Sequence, residues 1–157
     1  MGRAPINALV FPYRKKGNDF EFAIFNRSDS IDDFWQGISG GAEDSETPLE
    51  AARRESWEEG RVPTTANFSM LDSRATIPAS TFRGTDWADD VYVVHEFTFA
   101  VDAADHEIVL SHEHTEYRWV SLEEAREKLK HLSNRSALTE LGLRLQHGNL
   151  RQTHSPR

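Results

Sequence analysis

The segment from Gly40 to Val62, GGAEDSETPLEAARRESWEEGRV, constrains this chain more than any other part of the sequence. Glu55, Glu58 and Glu59 stand at positions i, i+3 and i+4, so they share one face of an α-helix. Like charges at this spacing destabilise an ordinary helix. Hard divalent cations relieve such crowding because they take carboxylate oxygens as ligands. The spacing therefore predicts a helix whose acidic face binds metal-bridged phosphates.

The start of this helix is also encoded in the segment. Thr47 is an N-cap residue, Pro48 suits the first helical position, and Glu50 completes a capping box with Thr47. The sequence predicts a helix from Pro48 to about Gly60. A charge run of this kind, taken alone, is most often a solvated helix face. The functional interpretation therefore depends on the wider pattern.

The wider pattern reads G-x5-E-x7-R-E-U-x-E-E-x-G-U, where U is aliphatic, and it resembles the Nudix box. Its positions are supplied by Gly40, Glu46, Arg54, Glu55, Glu58 and Glu59. Two positions depart from the pattern: Ser56 replaces an aliphatic residue, and Arg61 replaces the closing glycine. If buried, Ser56 is expected to lose about 1 to 2 kcal/mol of apolar burial. We expect Gly60 to provide the left-handed helix stop instead.

The resemblance implies a fold class, a cofactor and a set of roles. The fold class is α/β, an α/β/α sandwich around a mixed β-sheet. The cofactor is Mg²⁺, with Mn²⁺ as a substitute. The implied metal ligands are Glu55, Glu58, Glu59 and a fourth glutamate on a late loop.

Three residues of the pattern, Glu46, Arg54 and Gly40, are interpreted as orienting the acidic cluster. Arg54 is expected to pair with Glu46 or with a catalytic carboxylate, which would hold the cluster in register. Gly40 is expected in a turn formed by Ser39, Gly40 and Gly41, where glycine permits a close approach of the backbone.

Four short matches outside the box resemble the dihydroneopterin triphosphate diphosphatase branch. They are Phe34-Trp35-Gln36, Glu113-His114, Tyr117-Arg118-Trp119 and Ser133-Asn134-Arg135. In that branch the fourth glutamate lies on a late loop, and the segment HEIVLSHEHTEYRW places Glu113 there, with Glu116 as a competing candidate. The proton acceptor is left open among Glu55, Glu59 and Glu113. The histidines on either side of Glu113 lack two further soft ligands, so zinc is not expected.

Candidates for substrate binding lie outside the acidic cluster. Arg27 is a local cation that could meet a phosphate. Trp35 could stack on a flat heterocycle or simply pack the core. Asn134 and Arg135 could read a base edge or a phosphate, although Ser133 with these two residues also suits a helix N-terminus.

The remaining elements follow from hydrophobic patterning. Residues 6–13 and 20–26 predict a hairpin, and 67–77 and 91–101 predict strands. Residues 106–110 and 117–120 predict short strands. Residues 121–131, with Ser121 as N-cap and Glu124 completing a capping box, predict a helix. A last helix is expected at 133–147, which gives one domain over residues 1–150 and a frayed tail at 151–157.

Composition limits the function classes. The chain has 157 residues, 26 acidic and 18 basic, and a net charge of -8, which disfavours general binding to nucleic acid or anionic membranes. It has no cysteine, so thiol catalysis and disulfides are excluded and a cytoplasmic location is the default expectation. No apolar run reaches the roughly 18 residues of a membrane span, and no signal-peptide core is expected. Composition does not indicate an oligomeric state.

These observations predict a Mg²⁺-dependent hydrolase that cleaves a small polyphosphate. The branch resemblance favours dihydroneopterin triphosphate, split into the monophosphate and pyrophosphate. A housecleaning hydrolase of (deoxy)nucleoside triphosphates or dinucleoside polyphosphates is an alternative that shares the metal chemistry. An inactive Nudix-like module that senses a ligand is a second alternative, and it would bind without turnover.

Overall fold

The computed structural model describes residues 2–27, 34–82 and 84–152. The strands are β1 (Arg3–Lys16), β2 (Asp19–Arg27), β3 (Trp35–Gln36), β4 (Ile38–Glu43), β5 (Phe68–Pro78), β6 (Val93–Asp102) and β7 (His114–Val120). The helices are α1 (Pro48–Gly60), α2 (Leu122–Lys128) and α3 (Leu132–His147), and a short 3-10 turn spans Ala79–Thr81.

Seven strands of the described part of the chain form one mixed sheet. The order is β3-β2-β1-β6-β5, with β4 also paired to β1 and β7 paired to β2. β1 and β6 run parallel with Ile6 opposite His95, and the other pairs are antiparallel. β1 is long enough to pair with β4 near its start and with β2 near its end. The predicted α/β class with a mixed sheet is confirmed.

The two faces of the sheet carry two hydrophobic cores. Successive side chains of a strand point to opposite faces. Accordingly, Ala8 and Val10 pack with residues of α1, whereas Leu9 and Phe11 pack with residues of α2 and α3. All four are fully or almost fully buried. This division places α1, with its acidic face, on one side of the sheet and α3 on the other.

Two predicted local structures are wrong. Residues 106–110 form no strand: Val109 N donates to the Gly60 carbonyl oxygen at 3.0 Å, and buried Ile108 anchors the segment to the α1 core. The predicted turn at Ser39, Gly40 and Gly41 lies inside β4, paired with β1. In both places apolar packing and strand pairing decide the outcome over local sequence.

The helices agree with prediction at their starts better than at their ends. α1 runs from Pro48 to Gly60 and has the full Thr47–Glu50 capping box. The left-handed stop is Arg61, with φ 56°, so the expectation for Gly60 is wrong. Ser121 Oγ accepts the Glu124 N–H at the start of α2, as expected.

The last two helices have different bounds from those predicted. α2 ends at Lys128, because Leu129 is extended and forms a bridge with Trp35. α3 begins at Leu132, one residue earlier than predicted, and its N-cap residue His131 makes no side-chain capping bond. Within the described residues no helix is long and apolar enough to cross a membrane. Most of the expected tail lies outside the described residues.

The burial of Ser56 predicts that the substitution Ser56→Ala stabilises the protein. Ser56 is 0% exposed, and its Oγ has no hydrogen-bond partner. Removing an unsatisfied buried hydroxyl from a helix should raise the free energy of unfolding by about 1 kcal/mol, measured by urea denaturation. Ser136→Ala, at an exposed position of α3, controls for helix propensity. An equal or larger gain at Ser136 would contradict the burial explanation.

Candidate active site

Arg54 is the centre of the hydrogen-bond network on α1. Its Nε and Nη2 donate to the two carboxylate oxygens of Glu46 at 2.8 and 2.9 Å, and Nη2 also donates to the Gly41 carbonyl oxygen at 2.9 Å. The hydrogen bond from Arg54 lowers the pKa of Glu46, and Glu46 in turn raises the pKa of Arg54. This bidentate pair fixes the start of α1 against β4.

The remaining guanidinium nitrogen joins two of the helix acids. Arg54 Nη1 donates to Glu55 Oε1 at 2.9 Å and to Glu58 Oε2 at 3.2 Å. Glu58 is half-exposed, whereas Glu55 is largely buried beside Gly40. Burial raises the pKa of Glu55 to about 7, even though Arg54 opposes that shift. One arginine therefore holds two acids of the cluster.

Glu59 lies in a different environment, between α1 and the segment before β7. Its Oε2 accepts a hydrogen bond from Ser111 Oγ at 2.6 Å and lies 3.2 Å from His114 Nδ1. The His114 contact is close but lacks hydrogen-bond alignment. Burial raises the pKa of Glu59, but His114 and Ser111 outweigh it, so the pKa falls below its usual value. Ser111 and His114 were not predicted as site residues.

Glu113 lies next to Glu59, and the two carboxyl groups interact. Its backbone N–H donates to Ser111 Oγ at 3.2 Å. Burial and the adjacent charge of Glu59 raise the pKa of Glu113, and the charge of Arg27 opposes the shift. Glu116 is about half exposed and faces Arg118 at 3.4 Å. Glu113 therefore interacts with an acid of α1, whereas Glu116 contacts Arg118, and the role of Glu113 as a metal ligand stays a prediction.

The four predicted metal ligands form two groups. Glu55 and Glu58 are bound by Arg54, and Glu59 contacts Glu113. In the part of the chain that the structure describes, no three His, Asp or Glu side chains are grouped to hold one metal ion. The donors nevertheless fit a hard cation, because Glu59 and Glu113 are adjacent carboxylates whose like charges a Mg²⁺ or Mn²⁺ ion would neutralise.

The predicted substrate-binding residues have contacts of several kinds. Arg27 ends β2 opposite His114 and acts on Glu113 through its charge. Trp35 packs against the hydrophobic core that includes residues of α2 and α3, and the Arg118 guanidinium lies 5.2 Å from its ring centroid. Arg135 Nη1 donates to two backbone carbonyl oxygens at the end of α2, at 2.9 and 2.8 Å. Protein contacts therefore account for the positions of Trp35 and Arg135, and their role in substrate binding stays a prediction.

A cavity of about 450 Å³ lies where the N-terminus of α3 meets the sheet. Asn134 lines it and is buried, and its Oδ1 accepts the Gly37 N–H at 2.9 Å. The polar lining comprises Asn7, Gln36, Ser39, Thr81, Glu96, His131, Ser133 and Asn134. Burial raises the pKa of Glu96, although the hydrogen bond from Asn7 and the nearby Ser133 hydroxyl oppose that shift. Sequence analysis did not identify Asn7 or Glu96, although each is a polar residue within an apolar strand.

Gly40 has no side chain and so leaves room for the Glu55 carboxylate. A Cβ atom at this position would collide with the Glu55 carboxylate. We expect Gly40→Ala to displace Glu55 and to lower kcat/KM by about 10- to 100-fold, measured by product release under steady-state conditions. Gly60→Ala is the matched control, because a Cβ there makes ordinary contacts of 3.6 to 3.7 Å. Equal activities of the two variants would contradict this role.

The sequence and the described geometry agree with one family. Residues 3–141 match the family model of the NUDIX domain, and the chain therefore belongs to the NUDIX family. It is a Nudix pyrophosphohydrolase. Hydrolases of this family generally use divalent metal ions and act on small-molecule substrates.

Individual relatives show which branch of the family this chain resembles. The dihydroneopterin triphosphate diphosphatase of Haemophilus influenzae is 31% identical over 135 residues, which cover 84% of this chain and 84% of that protein. A structure from Listeria monocytogenes, assigned to the NUDIX hydrolases, has 38% identity and a TM-score of 0.85, covering 96% of this chain and 100% of that one. The Escherichia coli dihydroneopterin triphosphate pyrophosphohydrolase has the same fold, with a TM-score of 0.73 at 24% identity, covering 90% and 97%. The resemblance to this branch is confirmed.

Proposed function

We propose that this Nudix hydrolase cleaves dihydroneopterin triphosphate to the monophosphate and pyrophosphate, with Mg²⁺ as cofactor and Mn²⁺ as a substitute. The observation that carries the chemistry is the contact of buried Glu59 with partly buried Glu113, beside the Arg54-bound acids of α1. The observation that supports the substrate is the name of the Haemophilus influenzae relative, which aligns with most of both chains.

The acidic side chains have two roles in the proposed reaction, which are to bind the cation and to accept a proton. Glu55, Glu58, Glu59 and Glu113 would hold the cation, which when bound neutralises phosphate oxygens and lowers the pKa of water. In the reaction, water oxygen adds to phosphorus, a bridging P–O bond breaks and pyrophosphate leaves. A carboxylate takes the proton of the water. The candidates for this base are Glu55, Glu59 and Glu113, and Arg54 positions the acids around it.

The test of the proposed function is a substrate panel at saturating Mg²⁺ and at saturating Mn²⁺. Dihydroneopterin triphosphate, the four deoxynucleoside triphosphates and a dinucleoside polyphosphate are compared by kcat/KM, with separate detection of pyrophosphate and phosphate. We expect the highest kcat/KM for dihydroneopterin triphosphate, with pyrophosphate as product. A higher kcat/KM for a nucleotide would favour the housecleaning alternative, and ligand binding without turnover would favour the sensing module.

The proposal also includes a cytoplasmic location and no nucleic-acid partner. The support is compositional: the chain has no cysteine and a net charge of -8. Cell fractionation and a binding assay with duplex DNA at low salt test the two statements. Recovery in a membrane or secreted fraction would contradict the first, and salt-sensitive DNA binding would contradict the second.

A further inference from the structure

Glu96 is a buried carboxylate that the proposed metal chemistry does not use. It lies in β6 and is 4% exposed. Its Oε2 accepts a hydrogen bond from Asn7 Nδ2 at 2.9 Å, whereas its Oε1 has no hydrogen-bond partner. A buried carboxylate oxygen without a donor costs free energy that the fold alone does not recover. Because Glu96 lines a cavity, this oxygen can accept a hydrogen bond from a ligand that enters it.

The surroundings of Glu96 have the shape and chemistry of a small-molecule site. Glu96 lines the cavity of about 450 Å³, a volume within the range of ligand-binding pockets. Ile77, Phe82 and Leu132 supply apolar surface to the cavity. Apolar surface beside polar groups that fix the orientation of a ligand is typical of a small-molecule site.

A chain of contacts joins this cavity to the acidic cluster. Asn7 Oδ1 accepts a hydrogen bond from Arg3 Nη2 at 3.2 Å. Arg3 crosses β4 at Gly41, where a Cβ atom would collide with the guanidinium. Burial lowers the pKa of Arg3, and the negative charge of Glu55 opposes that shift, so the two groups interact. A ligand with its ring at Glu96 would therefore extend its phosphates past Arg3 toward the cluster.

We propose that Glu96 recognises the 2-amino-4-oxopyrimidine edge shared by pterins and guanine. This edge presents a ring N–H beside an exocyclic amino group, which gives two adjacent donors to an acceptor-only carboxylate. Adenine presents a ring acceptor beside its amino group, and that acceptor would face Glu96 unfavourably. The inference rests on the proposed function for the presence of a polyphosphate on the ligand, but recognition of the ring does not depend on turnover.

Binding of ligands that lack phosphate tests the recognition separately from hydrolysis. Neopterin, guanosine, inosine and adenosine are titrated into the full chain with Mg²⁺ present, using calorimetry or ligand fluorescence. We expect neopterin and guanosine to bind at least about 10-fold more tightly than inosine, which lacks the amino group, and adenosine. Glu96→Gln should weaken neopterin and guanosine by about 10- to 100-fold. Adenosine should keep its affinity or gain some, because the amide can donate to the ring acceptor of adenine.

Steady-state kinetics with triphosphate substrates provide a second test of the role of Glu96. For Glu96→Gln we expect KM to rise for dihydroneopterin triphosphate and dGTP, with kcat nearly unchanged and with the KM for dATP unchanged or lower. Glu123→Gln, at an exposed position of α2, is the matched control. One outcome separates the two proposals: tighter binding of neopterin and guanosine than of adenosine, with no turnover of any polyphosphate. This outcome would contradict the proposed function but would agree with the role of Glu96 in recognising the ring.

Three outcomes would overturn the assignment itself. They are equal affinity of the wild type for guanosine and adenosine, an equal loss for all ligands in Glu96→Gln, and no loss at all. Thermal unfolding of each variant is recorded, because the carboxylate also bonds to Asn7. If Glu96→Gln does not fold, Glu96→Asp retains the charge and withdraws it by one methylene. The same selective loss is then expected, and an unselective loss would contradict the proposal.

Discussion

Replacement of Glu59 by Gln is expected to lower kcat by about 10²- to 10⁴-fold, the range for loss of a proton acceptor. Glu59 is the most buried of the four acids, and its carboxylate contacts Ser111, His114 and Glu113 together. The amide removes the negative charge but retains the shape of the side chain. Steady-state kinetics at saturating Mg²⁺ and at saturating Mn²⁺ measure the effect. Calorimetric titration with Mn²⁺ should show weaker metal binding, independently of turnover.

Glu116→Gln is the matched control for Glu59→Gln. Glu116 lies on β7, is about half exposed and contacts Arg118. We expect its kcat to stay within about 2-fold of the wild-type value, as is usual for an exposed position without a catalytic contact. A normal kcat in Glu59→Gln, or an equal loss in Glu116→Gln, would show that the acidic pair at Glu59 and Glu113 is not the catalytic centre.

The helix that carries the acids was predictable because its signals are local. Thr47, Pro48 and Glu50 fix its start within a few residues of sequence, and all three function as predicted. The helix end was not predictable in the same way. Arg61 takes the left-handed conformation without being glycine, while its N–H bonds to carbonyl oxygens of the last turn and its guanidinium lies 4.9 Å from the Trp57 ring centroid. Those contacts offset a conformational cost that sequence rules assign to non-glycine residues.

The parts of the site that sequence analysis missed depend on long-range pairing. Asn7 and Glu96 meet because β1 and β6 run side by side in parallel, although 89 positions separate them in the chain. Ser111 reaches Glu59 across 52 positions because the segment before β7 docks on the end of α1, where Val109 N donates to the Gly60 carbonyl oxygen. No spacing rule of a single helix or strand contains this information. The spacing of the glutamates therefore predicted that they share one face of α1. The residues that surround them could be identified only from the folded structure.

Replacement of Arg54 by Ala is expected to lower the free energy of unfolding by about 2 to 4 kcal/mol. Arg54 is 23% exposed at its side chain and donates to Glu46, Glu55, Glu58 and the Gly41 carbonyl oxygen. Its loss leaves the partly buried carboxylates of Glu46 and Glu55 without their main donor. Urea denaturation monitored by tryptophan fluorescence measures the change. We also expect kcat to fall by about 10- to 100-fold, because the acids of α1 lose their common anchor.

Arg54→Lys separates charge from geometry in this network. Lysine retains the positive charge but cannot make the bidentate bond to Glu46. A loss of stability between those of the wild type and Arg54→Ala would show that the planar fork contributes beyond its charge. Arg126→Ala, at an exposed position of α2, should change the free energy of unfolding by less than about 0.5 kcal/mol. If Arg54→Ala were as stable and as active as Arg126→Ala, the Arg54 network would have no part in organising the acids, and Glu55 and Glu58 would have to be positioned by the helix backbone alone.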